Sequence, residues 1–262
     1  MGQGDKMIHK TAIIDPGAEL GNDVDVGPFT IIEGDVTIGD GTVIGPNVSI
    51  RPYTSIGPRC NIHAGAVLGG TPQDVNFKGG KSFVKIGENC QIREGVTINR
   101  GTQSDSVTEV GDDCFLMAFS HFGHNVKLGR NVIVANGALL AGYVEVGDQA
   151  FISGNCVLHQ FIKIGRLVML GGGCGVSKDI PPFCLVKPIM INTIGGLNST
   201  GLRRSTLTTE DRQEIKEAFK LLFLSDLNVS QALEKLKSAY PTGPASEFST
   251  FIEESKRGIC TM

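Results

Sequence analysis

The sequence predicts a left-handed parallel β-helix of hexapeptide repeats, followed by a C-terminal α-helical subdomain. Three observations support this prediction. An aliphatic residue recurs at every sixth position, a small or β-branched residue stands two positions before it, and glycine commonly follows it. An α-helix needs apolar residues every three or four positions, so it cannot produce this spacing. A short fixed period indicates a solenoid, in which each coil packs on its neighbours.

The aliphatic column has one phase along the whole repeat region. The small residues two positions earlier face the same side, because side chains alternate along a strand. Three hexads close one triangular coil, and we expect coils to stack as parallel strands about 4.8 Å apart. The column consists of Ile14, Leu20, Val26, Ile32, Ile38, Ile44, Ile50, Ile56, Ile62, Leu68, Ile86, Ile92, Ile98, Val110, Leu116, Phe122, Leu128, Val134, Leu140, Val146, Ile152, Leu158, Ile164, Leu170 and Val176.

The column also predicts the organisation of the chain. Residues 70–85 and 100–109 interrupt it without changing its phase, so we expect loops that leave intact coils, where function tends to lie. The repeat stops after Pro182, which predicts a β-helix over 8–183. Residues 1–7 are predicted to be a disordered lead-in, and 184–262 a linker and a helical domain.

The helical domain has its own periodicity. Thr208 and Asp211 approximate a capping box at the start of a first amphipathic helix. We expect two more helices, and we expect the helices to cover the last open edge of the β-helix. Their apolar residues are Ile215, Phe219, Leu222 and Phe223, then Leu233, Leu236 and Tyr240, then Phe248, Phe251 and Ile252.

Composition excludes several classes of function. A formal net charge of −3 gives no overall field that favours nucleic acid, and no apolar run is long enough to span a membrane. The seven cysteines, without a signal sequence, fit a reducing cytoplasm. Five of them stand at the small inward position and are predicted to be buried hydrophobic residues: Cys60, Cys90, Cys114, Cys156 and Cys174.

The histidines suggest where chemistry occurs. His124, Gly142 and Gln160 are 18 residues apart, so they stack at one corner of successive coils, with His159 in the adjacent column. Imidazole is the usual general base at neutral pH, and a free N–H at Gly142 would stabilise an oxyanion. Solvated surface histidines are an equal alternative. A zinc site is a weaker one, because His121, His124 and His159 occupy different columns without a carboxylate.

Several motifs resemble those of the UDP-N-acetylglucosamine O-acyltransferases, and the resemblance covers nearly the whole chain. The hexapeptide pattern alone is shared by many acyltransferases, whereas the His-x-x-His, His-Gln-Phe and Gln-Asp set is much more specific. The matching segments are Pro72-Gln73-Asp74, Ile92 to Thr97, Ser120 to Asn125, Leu140 to Gly142, Val157 to Phe161, Asp179 to Pro182 and Gly201 to Arg204.

The resemblance implies an activity and roles for individual residues. It implies a homotrimer, with active sites between subunits, that moves a 3-hydroxyacyl chain from acyl carrier protein to the 3-position of UDP-N-acetylglucosamine, the first step of lipid A synthesis. No cofactor or metal is implied. His124 would be the general base and Gly142 the oxyanion donor. The implied substrate-binding residues are Gln73, Asp74 and His121 for the hexosamine, His159, Gln160, Asn198 and Arg204 for the nucleotide or pyrophosphate, Gly172 for acyl length, and also Met169 and Tyr143.

Some positions depart from the family pattern. Asn125 stands where an aspartate usually follows the base, and an amide orients a histidine without adding a negative charge. Three alternatives therefore stay open. They are transfer to a UDP-3-amino sugar, a zinc enzyme like the γ-carbonic anhydrases, and a non-catalytic scaffold. The other departures are Asn76, Asn99, Tyr143, Thr200 and Ser205.

Overall fold

The computed structural model describes residues 7–262, which form the predicted left-handed parallel β-helix and a helical C-terminal part. Of the predicted lead-in, residues 1–6 lie outside the described range. Three sheets form the sides of a prism. Sheet I contains Ile13–Ile14, Ile31–Ile32, Ser49–Ile50, Val67–Gly70, Thr97–Asn99, His121–Phe122, Leu139–Leu140, Val157–Leu158 and Gly175–Val176. Sheet II contains Glu19–Leu20, Val36–Ile38, Thr54–Ile56, Phe83–Ile86, Val107–Val110, Lys127–Leu128, Glu145–Val146 and Lys163–Ile164. Sheet III contains Asp25–Val26, Val43–Ile44, Asn61–Ile62, Gln91–Ile92, Phe115–Leu116, Ile133–Val134, Phe151–Ile152, Met169–Leu170, Cys184–Val186 and Ile194–Leu197.

The register explains why the aliphatic column keeps its phase. Paired residues are normally 18 apart, as Ile13 and Ile31 are. Across the first loop the offset is 30, from Val67 to Thr97. Across the second loop it is 24, from Phe83 to Val107. These offsets exceed 18 by 12 and by 6, so each loop adds a whole number of hexads.

The inward side chains fill the prism. The predicted aliphatic column is buried from Val26 onward, and all seven cysteines are buried as free thiols. Two inward threonines satisfy their hydroxyl groups locally, since Thr30 donates to the Gly45 carbonyl at 2.7 Å and Thr42 to the Gly57 carbonyl at 3.1 Å. These two buried hydroxyls are therefore hydrogen-bonded, whereas Thr54 Oγ1, at the same inward position, has no partner among the described residues.

Three predicted boundaries differ from the structure. The first loop comprises 71–82 instead of 70–85, because strands extend to Gly70 and resume at Phe83. The second comprises 100–106, because the next strand begins at Val107. The β-helix also continues past 183, since Cys184–Val186 pairs in parallel with Met169–Leu170. Cys184 and Val186 are buried and Leu185 between them is less so. The alternation of inward residues therefore continues beyond the last predicted hexad.

Four α-helices lie in the C-terminal part of the described chain. They are α1 (Ser199–Arg204), α2 (Thr209–Phe223), α3 (Val229–Ala239) and α4 (Glu247–Glu254), with a 3₁₀ turn at Pro244–Ser246 before α4. The Thr208–Asp211 capping box of α2 is present as predicted. Helix α1 was missed, because six residues are too few to show an apolar period. No helix among residues 7–262 has the length and apolar character needed to cross a bilayer.

The end of the β-helix is covered in a different way from the prediction. Strand Ile194–Leu197 pairs antiparallel with Cys184–Val186. Near the end of the chain, Ile259 forms an isolated β-bridge with Asp179, and Thr261 forms one with Thr193. These backbone contacts occupy the open edge, which the helices were expected to cover. Helix α4 adds packing, with the Phe248 ring centroid 5.6 Å from that of Phe183.

Candidate active site

His124 lies directly on Gly142, at the corner between sheets I and II. Pairing of His121–Phe122 with Leu139–Leu140 fixes the two turns one coil apart. A Cβ atom at position 142 would be 2.3 Å from His124 Cε1 and 2.5 Å from Nε2, so only glycine admits the ring. Among the described residues, the Gly142 N–H has no protein acceptor. An imidazole and an unpaired N–H therefore share one corner, as the 18-residue spacing predicted.

The other side of the His124 ring is held by polar contacts. Its Nδ1 is 3.1 Å from Asn125 Oδ1, and Asn125 is 8 % exposed. The Asn125 backbone N–H donates to Thr108 Oγ1 at 2.7 Å. No described residue hydrogen-bonds His124 Nε2. This nitrogen is left available for a proton from a bound substrate.

Tyr143 packs against His124 instead of lining the neighbouring cleft. Its ring meets that of His124 edge-on, with centroids 5.2 Å apart and an interplanar angle of 82°. On its other side it stacks on Phe161 at 4.7 Å and 13°. The hydroxyl of Tyr143 is 2.9 Å from Thr102 Oγ1 in the second loop. The side chain thus restricts the imidazole and connects it to that loop.

A cleft of about 280 Å³ on sheet I brings together five of the predicted residues. Leu139 and Val157 supply apolar walls, and neither was predicted to be a site residue. Asp74 lies one residue beyond the cleft and accepts a hydrogen bond from the Asn76 N–H at 2.8 Å. The five predicted residues in the cleft are Gln73, His121, His124, Gly142 and Gln160.

His121 is half-buried beside the cleft. Its Nδ1 is 2.7 Å from Thr97 Oγ1 on the neighbouring strand. Burial lowers the pKa of the His121 imidazole, because the charged form loses solvation. The neutral ring is therefore the form present at neutral pH, and it suits hydrogen bonding to a sugar hydroxyl.

Other predicted residues lie on a different side of the prism. A cavity of about 740 Å³ lies between sheet III and α1, and Met169, Asn198 and Arg204 line it. Asn198 already caps α1, accepting from the Gly201 N–H at 2.9 Å and donating to the Leu167 carbonyl at 2.8 Å. Within one chain, these residues therefore do not lie in the same site as His124.

Besides Asp74 and Tyr143, two further predicted residues line neither space. His159 is exposed and its Nδ1 donates to the Gln160 carbonyl at 3.1 Å. Gly172 lies in the turn between sheets III and I, where an added Cβ would meet only the Gly154 carbonyl, at 3.7 Å. The structure leaves room at 172 for a larger side chain or for a ligand.

Among the described residues, the structure offers no set of side chains that could act as zinc ligands. Within residues 7–262, no three side chains of histidine, cysteine, aspartate or glutamate converge as metal ligands would. Nδ1 of His121 and of His124 each face an uncharged protein oxygen. Both contacts position an imidazole and do not complete a coordination shell.

Comparisons with known proteins agree with the fold. Residues 179–260 match the model described as UDP N-acetylglucosamine O-acyltransferase, domain 2, and residues 35–70 and 108–142 match bacterial transferase hexapeptide repeats. An acyl-[acyl-carrier-protein]–UDP-N-acetylglucosamine O-acyltransferase of Sulfurihydrogenibium is 54 % identical, over 96 % of this chain and 93 % of that protein. The corresponding protein of Thermodesulfovibrio yellowstonii is 44 % identical over 97 % and 98 %. The crystal structure of a UDP-N-acetylglucosamine acyltransferase from Bacteroides fragilis is 40 % identical, with a TM-score of 0.92, and covers 97 % of this chain and 99 % of that chain.

Proposed function

The chain belongs to the UDP-N-acetylglucosamine O-acyltransferases, and we propose from this membership that it transfers an acyl group from acyl carrier protein to UDP-N-acetylglucosamine in lipid A biosynthesis. The acyl group is a 3-hydroxyacyl chain and the acceptor is the 3-hydroxyl of the sugar. One observation carries the chemical part of this proposal. His124, with a free Nε2, lies on Gly142, whose N–H is unpaired among the described residues.

These two groups suffice for acyl transfer from a thioester. His124 Nε2 removes the proton of the sugar 3-hydroxyl while that oxygen attacks the thioester carbonyl carbon. The Gly142 N–H donates to the oxyanion of the tetrahedral intermediate. The intermediate then expels the thiolate of the carrier, which takes the proton back from His124. The chain's own residues supply every proton transfer in this sequence.

The substrate contacts follow the two spaces around the prism. Gln73, Asp74 and His121 hold the hexosamine beside the base, and His159 and Gln160 lie further along the same side. Met169, Asn198 and Arg204 act from the sheet III cavity, where Arg204 provides a positive charge for pyrophosphate. Gly172 admits a longer acyl chain, because the turn between these sides leaves room there.

A homotrimer would bring the two spaces together. Sheet I of one subunit would face sheet III of the next, which places His124 opposite the Met169 cavity. Exposed apolar side chains beside the cleft support such packing, since Leu139 is 44 % and Val157 54 % exposed. Light scattering should give three times the chain mass of 27.8 kDa. A monomer with full activity would contradict the shared site.

Location in the cytoplasm stays a prediction. Seven buried free thiols support it, because such thiols persist in a reducing compartment. Acyl carrier protein and a nucleotide sugar are the partners that the proposal requires.

An acceptor comparison tests the proposal. The native protein is incubated with 3-hydroxyacyl carrier protein of several chain lengths and either UDP-N-acetylglucosamine or its 3-amino analogue. Mass spectrometry then measures the acylated sugar. We expect a higher kcat/KM for the 3-hydroxyl sugar. Preference for the amine would assign the other acceptor, and no product with either sugar would contradict the acyltransferase reaction and favour a scaffold.

A further inference from the structure

The second loop reaches back to the corner of the proposed base. Thr102 lies 23 residues before Asn125 in sequence, yet its backbone nitrogen and its Oγ1 are each 3.1 Å from Asn125 Oδ1. A backbone N–H is always a donor, so the amide atom facing it must be the oxygen. The N–H and the hydroxyl of Thr102 together hold the Asn125 amide in this orientation, a choice that the similar shapes of oxygen and NH₂ otherwise leave open.

The orientation of Asn125 sets the tautomer of His124. The same Oδ1 is 3.1 Å from His124 Nδ1, and an amide oxygen only accepts hydrogen bonds. The hydrogen of the neutral imidazole is therefore on Nδ1, and Nε2 carries the lone pair. This is the tautomer that a base needs when Nε2 is the nitrogen without a protein partner.

Tyr143 completes the chain of hydrogen bonds. Thr102 Oγ1 uses its one hydrogen on Asn125 Oδ1, so in its 2.9 Å contact with Tyr143 it accepts from the phenol. Donation runs from Tyr143 to Thr102 and from Thr102 to Asn125. Tyr143 also holds the edge of the His124 ring and has a left-handed backbone with φ of 60°. The corresponding turn residues Asn125 and Phe161 share that conformation, so it follows from the repeat.

We propose that Thr102 and Tyr143 are positioning residues, which hold His124 in the Nδ1–H tautomer and in place over Gly142 through the Asn125 amide. This inference rests on the proposed role of His124 as base. The connected groups are all uncharged, so they select a tautomer and an orientation without placing a carboxylate beside the imidazole. Neither Thr102 nor Tyr143 lines the cleft, so neither needs to contact substrate.

Kinetics of Thr102→Val, Thr102→Ser and Tyr143→Phe test the proposal. Valine removes the hydroxyl that links Tyr143 to Asn125, whereas serine keeps it. We expect kcat to fall about twofold to tenfold in Thr102→Val and Tyr143→Phe, the range of one net hydrogen bond. KM for UDP-N-acetylglucosamine should not change, and serine should restore kcat. The double variant should lose no more than Thr102→Val, because both changes break one chain.

Tyr53→Phe is the matched control. Tyr53 lies at the corresponding corner of an earlier coil, has φ of 66°, and packs edge-on against Phe83 far along the prism from His124. Loss of the phenol hydroxyl in Tyr53→Phe should leave kcat unchanged. A raised KM with unchanged kcat in Thr102→Val would mean that Thr102 acts on the substrate, and would overturn the positioning role.

Nitrogen-15 chemical shifts of labelled histidine provide a readout that needs no substrate. The chain has five histidines, so His124→Ala identifies the signals of His124. We expect Nδ1–H in the native protein and a mixture of tautomers in Thr102→Val. A native protein with hydrogen on Nε2, or identical shifts in the variant, would overturn the inference. Because this measurement does not depend on turnover, an inactive native protein would count against the proposed function alone.

Discussion

The corner between sheets I and II carries different turn residues in the early coils and in the later coils. Between sheets I and II, the early coils place Gly34 and Pro52 at the turn, whereas later coils place His124, Gly142 and Gln160 there. The backbone is similar, since the following residue is left-handed in both regions, with φ of 66° at Tyr53 and 60° at Tyr143. Among the described residues, the later corner differs in placing an imidazole against the backbone of the next coil, at Gly142, whose N–H has no protein acceptor.

The comparison separates what the repeat provides from what individual residues provide. The hexads fix the stacking distance and the direction of the corner side chains at every coil. The proposed chemistry lies where a glycine lets a ring approach the backbone and where a loop returns to orient that ring. The early corner has the same frame without either feature, so it supplies matched controls.

The largest expected effect is on the shared frame. Phe122→Ala and Ile32→Ala remove inward side chains next to the two corners, and both residues are fully buried. Each should lower the free energy of unfolding by about 3 kcal/mol or more, because a cavity replaces packed atoms. Chemical denaturation measures this. A loss below about 1 kcal/mol at either position would mean that the prism does not depend on its filled interior.

Gly142→Ala should affect only the later corner. The added Cβ would lie 2.3 Å from His124 Cε1, so the ring must move, and a displacement near 1 Å costs about 10² in rate. Gly34→Ala is the control, because its Cβ would meet the end of the Asp15 side chain at 3.1 Å. Transfer rates of the two variants are compared with native. Equal rates for Gly142→Ala and native protein would show that close approach of the ring is unnecessary.

A smaller effect should appear in the pH dependence of stability. Burial lowers the pKa of His121 in the folded state, so the unfolded state takes up its proton first as the pH falls below about 6.5. The native protein should therefore lose stability over that fall in pH, and His121→Gln should lose less. Ile31→Gln, at the corresponding outward position of sheet I, should not change the slope. Parallel pH profiles for native protein and His121→Gln would contradict this account.

The sequence predicted the frame far better than the polar contacts. The period of six recurs along the whole β-helix, so misassigning one hexad would not change the predicted fold. The spacing of 18 also predicted that His124 lies over Gly142. Thr102 carried no such signal, because its approach to Asn125 depends on how a single loop folds back across 23 residues.

Helix α1 and the sheet III cavity were also beyond prediction from sequence patterns. Helix α1 has no apolar period, and the sequence did not indicate that Asn198, a predicted ligand contact, also caps that helix. The cavity containing Met169 and Arg204 lies on another side of the prism from His124, which no spacing rule in one chain indicates. Local patterns predict repeats, and single long-range contacts need the folded chain.

Acyl transfer by His124→Ala tests the central claim most directly. The rate from 3-hydroxyacyl carrier protein to UDP-N-acetylglucosamine is measured for native protein, His124→Ala and His9→Ala, the last an exposed histidine that contacts Thr11. The account predicts a loss of about 10² to 10⁴ for His124→Ala, with unchanged unfolding temperature, and the native rate for His9→Ala. A native rate in His124→Ala would contradict the assignment of His124 as the base.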